Sequence, residues 1–119
     1  MITDKMKSKI VEHLRTSLIT NSKVGRGGNS TNPTSNTLDV ESLTNLGAVI
    51  NITPTLTASD LNVLEVKISI AGNSIQGQVI REAGIFDTNG DMLARVNFDG
   101  VGPFATDETL EIFLLLEVE

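Results

Sequence analysis

At 119 residues, with 39% hydrophobic and 20% charged side chains, the chain has the length and composition of one small folded domain. It has no cysteine, which excludes disulfide frameworks, thiolate metal sites and Cys nucleophiles, and four Phe as its only aromatics, too few for the stacking faces of glycan or single-stranded nucleic-acid binders. The net charge of −6 is unevenly spread: residues 1–26 carry six cations against two acids, net +4, and residues 27–119 carry three against thirteen, net −10.

A basic end on an acidic body can dock on itself, on a neighbouring copy or on another acidic surface. Nucleic acid is disfavoured, because the acidic body repels phosphates. The start, "MITDKMKSK", is polar and has no apolar segment behind it, so no secretory signal and no export are expected. The longest apolar run, Ile112 to Leu116, is too short to cross a bilayer as a helix. No membrane partner is expected, and no cofactor.

In chain order, residues 1–22 read as an amphipathic helix. Thr3 or Asp4 can cap it, and Met6, Ile10, Leu14 and Leu18 recur every four residues beside Val11. That face must be buried, either on the protein's own core or in a partner's groove. From Thr20 to Thr37 the chain is mostly Gly, Asn, Ser and Thr, with one Pro and the cations Lys23 and Arg26, and Val24 is its one large apolar residue. This predicts an exposed polar loop, which, with a short helical turn in "LDVESLTNLG", fills residues 23–47. The Gly-Arg-Gly-Gly run lacks the Lys-Ser/Thr pair of a phosphate loop.

Beyond Gly47 the period changes to two. Five alternating runs follow: Ile50 to Leu56, with Pro54 marking a sheet edge; Leu64 to Ile70; Ile75 to Ile85; Met92 to Phe98; and Leu110 to Val118. The expected fold is mainly β, a small antiparallel β-sandwich or flattened barrel over residues 48–119 with one N-terminal helix, all in a single domain. In the last run Phe113 and Leu115 point opposite to Ile112 and Leu114. That strand is therefore expected to be central, or covered by the helix.

Asp87, Asn89 and Asp91 surround Gly90 at a spacing that suits either a cation or a bend. Asn89-Gly90 is a strong hairpin signal, since both residues accept the positive φ angles of a type I′ turn. A helix–loop–helix calcium site counted from Asp87 needs Gly at its sixth position and Glu at its twelfth, where Met92 and Phe98 stand. The hairpin is the expectation. Arg81 and Glu82 must face opposite sides of their strand, and Arg95 on the next strand is the candidate partner of Glu82. The single His13 has no second histidine for a metal site, and no nucleophile–base constellation is marked by spacing, so no enzyme is expected.

"VIREAGIFDTNGDMLARVNF" followed by "ATDETLEIFLLLEV" resembles a recurrent module of tailed-bacteriophage structural proteins, found in tail-fibre, collar and baseplate components. Upstream, "KVGRGGNSTNPTSNTLDV" is loosely similar to the glycine-rich stretch that precedes such strands, so the resemblance runs from about Val24 to Val118. The Asn-rich loop and the "FDGVGPF" insertion depart from the pattern. The resemblance implies a non-enzymatic virion subunit of a tail, neck, baseplate or fibre attachment, a homo-oligomer that contacts its own copies and other virion proteins. Candidate interface residues are Met6, Ile10 and Leu14 on the helix and Lys23 and Arg26 in the loop, which is expected to order on a partner. The competing expectation is a host-surface glycan- or cation-binding module using the Asp87–Asp91 turn or the loop around Asp99 and Pro103.

Overall fold

The computed structural model describes residues 1–26, 51–75 and 77–119. The described chain is mainly β and antiparallel, in two three-stranded sheets with one helix at the N-terminus. The expected short helical turn in "LDVESLTNLG", and Ile50 at the head of the first alternating run, lie outside the described residues.

Helix α1 spans Asp4–His13. Thr3 Oγ1 accepts from the Met6 amide at 3.2 Å, satisfying one of the orphan donors of the first turn, and Asp4 complements the positive end of the helix dipole. The helix continues as a π-helical turn over Leu14–Leu18, where the Ile19 amide reaches the Leu14 carbonyl and Thr16 Oγ1 donates to the Glu12 carbonyl. Arg15 pairs with Glu12 on the exposed side, and its hydrogen bond holds the Glu12 carboxyl below the usual carboxylate range.

The helix is thus shorter than residues 1–22, and the start of the expected loop, as far as Gly25, is strand. Strand β1 (Asn21–Gly25) pairs antiparallel with β4 (Ile80–Phe86), with Val24 opposite Ala83 and Lys23 opposite Gly84. On its other side Ser22 exchanges backbone hydrogen bonds with Ile52 at 2.8 and 2.9 Å, and its hydroxyl donates to the same Ile52 carbonyl. Composition misled here because strand status comes from hydrogen bonds on both edges, and one inward apolar residue, Val24, gave too weak an alternation to show it.

The remaining strands are β2 (Thr55–Asp60), β3 (Val63–Ala71), β5 (Met92–Val101) and β6 (Thr109–Glu117). One sheet has the order β1-β4-β5 and the other β2-β3-β6. Strand β2 begins just after Pro54, on the edge of its sheet, because a residue without an N–H cannot serve a ladder there. Likewise the run starting at Ile75 is a strand only from Ile80; Ile75 is buried just after a short 3₁₀ turn at Gly72–Ser74. Gly72 is required by packing: an added Cβ would lie 2.1 Å from the Ala105 carbonyl oxygen.

Val24, Ile80, Ala83 and Ile85 of the first sheet meet Leu64, Val66, Ile68, Ile70 and Leu110 of the second in one hydrophobic core. Val11 and Ile19 from the N-terminal segment, and Ile75 and Phe104 from the loops, complete it. Among the described residues no helix is long and apolar enough to cross a membrane.

Strand β6 departs from expectation. It pairs with β3 on one side and, among the described residues, forms the sheet edge. Its outward residues Phe113 and Leu115 are 55% and 69% exposed. The strand buried on both faces is β4, at the centre of the other sheet, where every residue except Arg81 is buried. Alternation reveals which faces are apolar; it does not reveal what covers them.

Candidate assembly surfaces

The turn that opened the question of a cation is a hairpin of a different kind from that expected. The Gly90 amide bonds the Asp87 carbonyl at 3.1 Å, and the Asp87 amide bonds the Asp91 carbonyl at 3.0 Å. Gly90 has φ of 84°, whereas Asn89, like every described residue other than glycine, stays at negative φ. The loop therefore has three residues with glycine alone in the left-handed position, not a two-residue type I′ turn. Asp87 explains the change: its Oδ1 accepts from the amides of Asn89 and Asp91 at 3.0 and 2.9 Å, tying the turn from within. Among the described residues no three metal-ligating side chains gather at one place.

Glu82 and Arg95 are brought together. Glu82 stands opposite Asn97, and Arg95 opposite Gly84, so the two charges are diagonal neighbours on one face of the sheet. Arg95 Nη2 donates to Glu82 Oε2 at 2.6 Å and to Asn97 Oδ1 at 3.0 Å, with both charged side chains buried. Lys23, on the same face, holds its ammonium 4.9 Å from the Phe86 ring centroid. The arrangement is a buried, hydrogen-bonded ion pair that bridges β4 and β5.

The interface candidates are dispersed. Lys23 is half-buried against the body rather than reaching outward. Arg26 is exposed, and its carbonyl accepts from Arg81 Nη1 at 3.2 Å. Of the stretch Thr20 to Thr37 expected to order on a partner, Asn21–Gly25 form strand β1 within the chain, and residues 27–37 lie outside the described residues. On the helix only Val11 is buried; Ile10 and Leu14 are half-buried and Met6 is 50% exposed. Asp99 and Pro103, the other candidate binding positions, are exposed beside the buried Phe104.

Sequence reasoning found the apolar side chains on the outer face of the β2-β3-β6 sheet but missed that the face is exposed and set among acidic residues. Phe113 lies opposite Lys67 and Leu115 opposite Glu65, with Glu111 and Glu117 at the ends of the same row. Lys67 Nζ is 3.8 Å from Glu111 Oε1 and 6.0 Å from the Phe113 ring centroid. The face is an apolar pair set among carboxylates on an edge strand of nine residues. The signal was present in the odd-numbered positions of "TLEIFLLLE".

Compared with known protein families, characterised proteins and solved structures, the chain shows no significant match.

Proposed function

We propose that this chain is a non-enzymatic structural subunit of a bacteriophage particle, a component of the tail, neck, baseplate or fibre attachment that works by packing against its neighbours. The observation that carries the reading is strand β6, which among the described residues is a sheet edge and presents Phe113 and Leu115 outward at 55% and 69% exposure. A long apolar edge is a ready template for association, and monomeric proteins ordinarily blunt or cover such edges. An assembling subunit instead needs one. The half-exposed helix face at Met6 and Ile10 supports the same reading, as does the resemblance carried by Val79 to Phe98 and Ala105 to Val118.

Particle membership is directly measurable. The protein should copurify, at a fixed ratio to the major structural proteins, with virus particles banded from cells that express it. Protein that stays wholly in the soluble fraction while intact particles form would contradict the reading.

A further inference from the structure

Two exposed surfaces of this chain complement each other. The first lies on helix α1. Met6 is 50% exposed and shares a row with half-buried Ile10, and Lys5 and Lys9 are exposed beside that row. The second is the outer face of the β2-β3-β6 sheet, where Phe113 and Leu115 sit among Glu65, Glu111 and Glu117, with Lys67 the one cation in the rows described. Each surface is an apolar strip edged by charge, and the signs are opposite. The exposure of Met6, Phe113 and Leu115 shows that neither strip covers the other within one chain.

The mismatch extends to the whole sequence. Residues 1–18 carry four cations against two acids, net +2, and the remainder of the chain is −8, so the helical segment has the sign opposite to the sheet it would meet. The acidic sheet also disfavours edge-to-edge pairing of two β6 strands in the register that sets Glu111 against Glu117. A basic amphipathic helix satisfies both requirements of the face: it covers apolar side chains and supplies cations to the carboxylates around them.

We infer that helix α1 of one copy docks on the outer face of the β2-β3-β6 sheet of a second copy, with Met6 and Ile10 against Phe113 and Leu115 and with Lys5 and Lys9 facing Glu111 and Glu117. This rests on the assembly reading above and names the partner as the chain itself. Each copy owns one of each strip, so the contact is reciprocal in a two-fold pair or sequential in a closed ring; both arrangements use both strips.

Charge exchange tests it. One variant carries Lys5→Glu with Lys9→Glu, the other Glu111→Lys with Glu117→Lys, and circular dichroism verifies that each folds. All four positions are exposed, so folding should be retained. Sedimentation velocity of the purified full chain should show self-association that weakens as salt rises. Each variant alone should associate about tenfold more weakly or worse, and an equimolar mixture should recover the association, fully in a two-fold pair or even-membered ring, where opposite charges face each other at every contact, and in part in an odd-membered ring, which keeps one like-charge contact. A chain that stays monomeric, an oligomer indifferent to both reversals, or a mixture that recovers nothing would each overturn helix-to-sheet docking. None of these results alters copurification with particles, so the two proposals fail separately.

Discussion

Glu82 is fully buried and Arg95 nearly so, yet the pair lies on the face of the first sheet turned away from the main hydrophobic cluster. Burying two charges is costly, and the cost is recovered only with good geometry and further hydrogen bonds, here the 2.6 Å contact and the bond from Arg95 to Asn97. Removing one partner leaves the other buried and uncompensated. Glu82→Ala should therefore lower unfolding free energy by about 3–5 kcal/mol, read from urea denaturation. Replacing both, Glu82→Leu with Arg95→Met, should return most of the loss, and equal destabilisation by single and double variants would show that the pair is not the cause. This contact was legible in the sequence. Strand alternation puts Arg81 and Glu82 on opposite faces, and the hairpin brings Arg95 within diagonal reach. The turn itself was legible in position but not in type, because Asp87 competes for the backbone with its own carboxylate.

At the scale of elements, periodicity placed the strands and misjudged their surroundings. Leu64, Val66, Ile68 and Ile70 alternate in sequence and are buried as expected. The same logic applied to β6 gave two apolar faces and hence a strand that is central or covered by the helix, since alternation shows that a face is apolar and not whether the chain covers it. Strand β1 went unseen for the opposite reason: "NSKVG" is ordered by ladders to β4 and Ile52, which are remote in sequence. The two kinds of apolar residue should respond differently to mutation. Leu64→Ala removes buried core and should cost about 2–5 kcal/mol. Phe113→Ser with Leu115→Ser should change stability by less than about 1 kcal/mol in dilute solution, because the side chains already face water. Thermal melts of the two variants separate the cases, and a large loss from the double serine variant would mean that β6 is covered within the chain.

For the molecule as a whole, the two sheets share one hydrophobic core. It is drawn from both sheets, with Val11 and Phe104 packed into it. What the molecule presents is an acidic sheet with two exposed apolar side chains and, apart from it, a basic helix with its own exposed row. Charge asymmetry was readable from composition. The location of the exposed acidic face was not, because it depends on which of the described strands ends the sheet. The most direct measurement is hydroxyl-radical footprinting of Phe113 and Leu115, in dilute free chain and in intact particles. The account predicts strong labelling of both side chains in the free protein and a several-fold drop on assembly. Equal labelling in the two states would contradict it.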